Sequence, residues 1–221
     1  MDDTRFDAEG MTRQIMRSAA TAALGTLTHE GGPFVTFVTV ATDIDGAPLV
    51  LLSGLAAHTR HLARDGRASL LMQAPAGAGD DPLTGARATI NGRFQRIARE
   101  EADHARLFKR FLIRHPEAEG YAGFGDFSVY RMSVDGVHLV AGFGRIARLA
   151  AADVVVPSAT AEAFAAVETA LLSDLASVRP ALVAVDPDGI DITEEGGVKR
   201  LSFKRRAGDP SEVKSLLAEI G

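Results

Sequence analysis

Leu51-Leu52-Ser53-Gly54-Leu55-Ala56-Ala57-His58-Thr59-Arg60-His61-Leu62 runs from apolar residues through small ones into a hydroxyl and a guanidinium. It reads as a strand that ends at the start of a helix. Pro48 to Leu52 has the length of a short buried strand, Gly54 permits a sharp change of direction, and Thr59 is a good N-cap for a helix reaching about Arg64. Free amides at such a helix start favour negative charge, and Arg60 in the first turn suits the helix dipole only with an anion close by. The stretch therefore reads as a phosphate cradle, or as an ordinary capped surface helix with a solvated arginine.

Outward from this element the pattern is mostly strands. Met11, Ile15, Met16, Ala19, Ala22 and Ala23 recur at helical spacing, so a helix is expected over about 8–23. Leu24 to Thr28, Phe34 to Thr42, Pro48 to Ser53, Ala68 to Gln73 and Ala86 to Ile97 are short, rich in Val, Thr, Ile and Phe, and separated by turn signals such as Asp43-Ile44-Asp45-Gly46. That spacing favours an antiparallel barrel. The breaker-rich run 74–82 reads as a mobile loop, 99–114 as a helix stopped before Pro116, and 126–135 with 137–142 as a hairpin. Ala150 to Thr160 has no sustained period and suits a linker. A helix over 161–175, a hairpin joining 181–186 to 190–193, a strand at 198–203 and a helix at 211–220 follow. The expected division is a barrel domain over 1–150 and a small C-terminal α+β domain over 151–221.

Composition bounds the chemistry. The 221 residues are 46% hydrophobic, enough for one good core or a main domain with a satellite. With no cysteine there is no disulfide framework, thiolate nucleophile or Cys-based metal site. The acidic start, Met1 to Glu9, lacks a secretory pattern, and no apolar run is read as long enough to span a bilayer. A soluble cytoplasmic protein with no membrane partner is the expectation. A formal charge of −5 argues against a nucleic-acid partner, and the basic run Lys199 to Arg206 reads as the solvated face of an edge strand.

Other motifs carry less. His58 and His61 stand at i, i+3, but no third ligand lies nearby and no HExxH occurs, so no metal site is assigned. Gly142-Phe143-Gly144-Arg145 imitates half of a dinucleotide fingerprint without the βαβ unit that gives it meaning, and is read as a barrel-closing turn. Glu100-Glu101 and Glu194-Glu195 read as solvated charge at a helix start and a turn.

Three strings, LLSGLAAHTRHLARDGRASLL at 51–71, DPLTGARATINGRFQRI at 81–97 and RFLIRHPEAEGYAGFGDFSVYRMSVDGVHLVAGFGRI at 110–146, together resemble the pyridoxamine-phosphate-oxidase-like family of FMN-binding split barrels, in particular its HugZ-type haem-utilisation branch. The resemblance covers about Met11 to Leu149, and the C-terminal piece is similar to the small accessory domain of that branch. It implies an α+β fold built on a six-stranded antiparallel split barrel with flanking helices. It also implies a homodimer with cofactor sites at the interface, FMN as cofactor, and oxidoreductase chemistry on a small molecule. The family's phosphate-binding Ser-Arg-Lys element falls on His58, Thr59 and Arg60, so Arg60 alone supplies fixed charge, shared at most with Arg67. Ser53 matches a family hydroxyl position, Arg87 falls where the oxidases have a glutamine at the flavin ring, and Thr36 and Thr39 lie where they place an arginine and nearby cofactor contacts. Alternation puts Arg87, Thr89 and Asn91 on one strand face. No catalytic acid or base is forced, because hydride chemistry belongs to the cofactor.

The resemblance also carries haem as an alternative cofactor. An axial ligand would come from His29, His58, His61, His104, His115 or His138, and the helix around 165–175 lacks the Asn and His residues of the haem-handling relatives. The chain lacks the arginine-rich C-terminal segment of the oxidases, which argues against pyridoxine phosphate as substrate.

Overall fold

The computed structural model describes residues 6–74, 85–142 and 144–220. The run read as a mobile loop lies outside them except for Ala74. Helix α1 (Ala8–Ser18) starts at Asp7, whose carboxylate accepts from Gly10 N at 2.8 Å, and it buries Ile15 and Met16. The expected extension to residue 23 is corrected: Ala19 caps the helix, and Ala22 and Ala23 belong to strand β1 (Thr21–Leu27). Alanine fits either period, and here Ala22 and Leu24 bury alternate positions of a strand.

The main sheet has eight antiparallel strands rather than six. Its order is β2 (Pro33–Thr39), β1, β5 (Arg67–Gln73), β6 (Arg87–Arg96), β7 (Phe127–Val140), β4 (Pro48–Ser53), β3 (Ala41–Thr42), with β8 (Ile146–Ala150) also on β7. One face of this curled half-barrel encloses Leu24, Leu52, Leu70, Ile90, Met132 and Leu139 under α1. The expected hairpin at 126–142 is instead the single fourteen-residue strand β7. Asn91 pairs with Gly136 and Gly92 with Val134, so Asp135 is an extra residue absorbed as a bulge. On its other edge β7 pairs with β4 over 127–131 and with β8 over 136–140. The split of the barrel is this change of partner. The turn at Gly142 and Gly144, both at positive φ, joins β7 to β8, a strand the sequence pattern did not show.

Helix α2 (Ala57–Arg64) follows β4, and α3 (His104–Arg114) and α4 (Glu119–Ala122) cover the β4/β7 pair with Leu107, Phe111 and Ala122. The supposed linker is ordered: it holds the end of β8 and α5 (Ala151–Val154), with Val154 and Val156 buried, and leads into α6 (Ser158–Leu175). Taken together, Ala151–Leu175 is long and apolar enough to cross a membrane, at a mean hydropathy of 1.3, which corrects the reading that no segment is. It is two helices separated by the extended Val155, and Phe164 and Leu175 pack into a core.

That core lies against a second sheet, β11 (Gly197–Ser202), β10 (Gly189–Glu194), β9 (Leu182–Asp186), closed by α7 (Val213–Glu219), and it takes in Ile44 from the loop before β4. Buried ion pairs link the second sheet to helices α1 and α3. Asp186 faces Arg200 at 2.6 Å, Arg17 of α1 at 3.3 Å and Arg110 of α3 at 3.5 Å, while Asp188 holds Arg17 and Arg206. The basic run 199–206 is therefore only partly a solvated face: the Arg200 side chain is 3% exposed. A guanidinium enters a core only with acidic partners, and Arg200 finds them on β9 and β10, at Asp186 and Asp191.

Candidate functional site

Strand β4 delivers Ser53 to a turn tied to the start of β7. Ser53 Oγ donates to Asp126 Oδ2 at 2.5 Å and accepts from Leu55 N at 3.1 Å, and Gly54 N donates to the Asp126 carbonyl at 2.7 Å. Helix α2 then begins three residues earlier than the N-cap reading of Thr59 required. Its cap is Ala56, which is extended and has no side chain that can accept a hydrogen bond. Thr59 instead lies inside the first turn, 6% exposed, with Oγ1 buried and unpartnered in the described structure. A chain reversal completed at Gly54 leaves Ala56 as the last extended residue, and the threonine is carried inward.

Arg60 closes the same turn, Nη1 donating to the Leu55 carbonyl at 2.7 Å. Arg67 is held by Asp65, with Nε to Oδ2 at 2.9 Å and Nη2 to Oδ2 at 2.5 Å. Ser53 and Arg60 thus meet at the Leu55 turn, Arg67 is held apart by Asp65 beyond the end of α2, and Asp126 adds a carboxylate that the sequence did not point to. Its only local signal was the Gly-Asp-Phe start of a strand.

The imidazoles of α2 are better organised. His58 Nδ1 lies 3.0 Å from Thr36 Oγ1, and His61 Nδ1 lies 3.1 Å from Thr26 Oγ1 with its ring edge-on to Phe34 at 5.0 Å. Thr26 and Phe34 are register partners across β1 and β2, so one hairpin face seats both rings. Burial, helped by the neighbouring His61, holds the His58 pKa below the ordinary imidazole value, so the ring is neutral at pH 7. When Nδ1–H donates to the threonine, Nε2 carries a free lone pair directed away from it.

Thr39 is separated from Thr36. Three positions along a strand reverse the face, and Thr39 lies with Val35 and Phe37 on the outer side, opposite Thr21. Arg87 reaches that outer side from β6, donating to the Gly85 carbonyl at 3.2 Å, with Thr89 and Asn91 beyond it and Ala88 and Ile90 buried. Cross-strand register sets Phe37, Ala23, Leu71, Thr89, His138 and Arg148 in one row. The outer face is apolar and open at its β2 end, with Phe37 76% and Val35 66% exposed, and polar across β6 and β7 at Arg87, Thr89, Asn91 and His138. A hollow of about 370 Å³ beside it is lined by Gly25, Leu27, Phe34, Val35, Ser69 and Asn91. Among the described residues no three His, Asp or Glu side chains converge as a metal site.

This geometry can be set beside known proteins. The family profile described as CREG, beta-barrel, matches residues 3–155. The chloroplastic non-canonical haem oxygenase HOZ of Arabidopsis thaliana is 32% identical over 132 residues, which are 59% of this chain; the alignment spans 39% of that relative's length. A protein of unknown function from Agrobacterium tumefaciens strain C58 superposes with a TM-score of 0.79 at 27% identity, covering 98% of this chain and 96% of its own. A haem-binding protein from Mycobacterium smegmatis superposes with a TM-score of 0.64 at 29% identity, covering 98% and 97%.

Proposed function

Since this chain belongs to the CREG β-barrel family, we propose that it binds haem against the corner formed by α2 and β2, with two copies of the chain enclosing the site. The observation that carries the reading is His58: a neutral imidazole, oriented through Nδ1 by the Thr36 hydroxyl, with Nε2 left to ligate. Metal-binding histidines are held in this way by the group on their other ring nitrogen. His61 and Phe34, edge to face, supply the aromatic wall that a porphyrin plane needs. Thr59 Oγ1 and the uncapped amides at the start of α2, with Arg60 beside them, suit a propionate carboxylate. Bound haem would supply redox and dioxygen chemistry, while the chain orients it, excludes water and sets its charge environment.

What relatives are named for supports the same choice, one as a haem oxygenase and one as a haem-binding protein. It favours the haem-utilisation side of the split-barrel resemblance. FMN is the weaker fit. Its phosphate would need Ser53, Thr59 and Arg60 together, whereas the Ser53 hydroxyl is turned to the Asp126 carboxylate and Arg60 to a carbonyl. A second copy is the occupant we assign to the outer face, because exposed Val35, Phe37 and Leu71, neighbours across β2, β1 and β5, match an isologous interface.

Titrating the purified protein with haemin and, separately, with FMN tests the reading. Saturable growth of a Soret band, with a spectrum changed in His58→Ala, supports it. Quenching of flavin fluorescence without haemin uptake overturns it, and so does a haem spectrum indifferent to His58.

A further inference from the structure

Away from the α2–β2 corner, we infer that an apolar slot between α3, α4 and the β4/β7 pair binds a flat apolar carboxylate, with Arg99 holding the charge. The slot has a volume of about 300 Å³ and is walled by Leu51, Phe108, Ala122, Phe127 and Val129, with Arg99 and His104 at its polar end. Helix α3 explains the walls. Leu107 and Phe111 turn into the core, while Phe108, one step round the helix, stays half-buried with His104 stacked on it at 5.8 Å and 14°. On the opposite side Tyr121 leans on Phe127 at 5.0 Å, which fixes that ring as a second flat wall.

The charge is what selects the ligand. The one contact of Arg99 in the described structure is a long one, Nη2 to the Phe124 carbonyl at 3.5 Å, and no carboxylate pairs with it. Two of the acids that follow it are engaged elsewhere, Glu101 accepting from Ala98 N at 2.6 Å and Asp103 pairing with Arg106 at 3.2 Å, and the adjacent Glu100 makes no ion pair with it. A guanidinium without a counter-ion beside a slot with aromatic walls is complementary to an aryl carboxylate. The carboxylate takes the planar fork of the arginine and the ring takes the space between Phe108 and Phe127. A small polar anion would gain nothing from the walls, and a neutral arene nothing from the charge. The slot volume sits at the lower end of small-molecule sites, which restricts the body to about two fused rings.

Gly123 permits a clean block. It lines the slot with φ −75°, and a Cβ built on it meets nothing within 4 Å, so Gly123→Leu sets a large apolar side chain at the slot without strain. The probe is 2-naphthoate followed by calorimetry, with 2-naphthalenemethanol as the uncharged counterpart and acetate as the ringless one. Saturable naphthoate binding is expected, absent in Gly123→Leu and roughly tenfold weaker in Arg99→Gln, the loss of one charge-assisted contact. The alcohol should bind about as weakly to the native protein as naphthoate does to Arg99→Gln, and acetate not at all. Haemin uptake unchanged in Gly123→Leu would separate this slot from the α2–β2 site. Naphthoate binding that survives Gly123→Leu, that ignores Arg99→Gln, or that never saturates would overturn the assignment. Circular dichroism of both variants checks that the fold is kept.

Discussion

Replacing Asp186 by asparagine removes one charge from the centre of the buried ion cluster while keeping its shape. The carboxylate is 1% exposed, takes Arg200 Nη1 at 2.7 Å and Nη2 at 2.6 Å, accepts from Asp188 N at 2.9 Å, and faces Arg17 and Arg110. Each arginine keeps another acid: Arg17 has Asp188 at 2.9 Å, Arg110 has Glu168 at 2.6 Å and Arg200 has Asp191 at 3.6 Å. Breaking a buried pair from one side costs about 3–5 kcal/mol, and the surviving partners place Asp186→Asn at the lower end, about 3 kcal/mol. With a urea slope of about 2 kcal/mol per molar, the unfolding midpoint should fall by roughly 1.5 M. The loss should also depend on pH. Burial alone would raise the Asp186 pKa, but Arg17, Arg200 and Arg110 outweigh it and hold the carboxyl far below the usual carboxylate range. Its stabilisation is thus complete at neutral pH and fades once the unfolded chain begins to take up protons, as pH falls through about 4. The gap between native and variant midpoints should narrow on acidification. A neutral-pH shift under about 0.3 M, or a gap that stays constant to pH 3, would refute the idea that this carboxylate ties the second sheet to α1 and α3.

Other outcomes follow from single contacts. Thr36→Val removes the acceptor that orients His58 and should weaken haemin binding roughly 10- to 100-fold in a Soret titration, leaving the fold intact. Phe37→Glu puts a charge on the open face and should convert the proposed dimer to a monomer in light scattering without unfolding the monomer, because Phe37 contributes little to the monomer core. Gly92→Ala forces a Cβ to 2.1 Å from the Ser133 carbonyl at the register shift, and at about 2 kcal/mol should lower the melting temperature by roughly 6 °C.

The periodicities legible in the chain were those that need no partner. Pro48–Ser53 is the strand its apolar run describes, α3 ends before Pro116, and Arg87, Thr89 and Asn91 share a face of β6 because alternation is a property of a strand alone. Where two local readings compete, neighbours decided. Ala22 and Ala23 fit a helix or a strand until β2 pairs with them, and Asp135-Gly136 looks like a turn until β6 draws it into one long strand as a bulge. The candidate site divides in the same way. Ser53, His58 and Thr36 were legible as residues of the right chemistry. The Asp126 carboxylate on Ser53, the Thr26 partner of His61 and the inward turn of Thr59 were not.

The sequence by itself determined which residues are apolar, where strands and helices begin to be possible, and that the charges near residue 58 are few. Only the tertiary structure decided which charges meet. Arg17 and Asp188 are 171 positions apart, and the lysine and arginine run at 199–206 looks solvated until Asp186 and Asp188 are brought against it. Hydrophobic period is written locally because a helix or strand repeats its own geometry. The pairing of buried charges depends on which surfaces the folded chain closes together, and no local pattern records that.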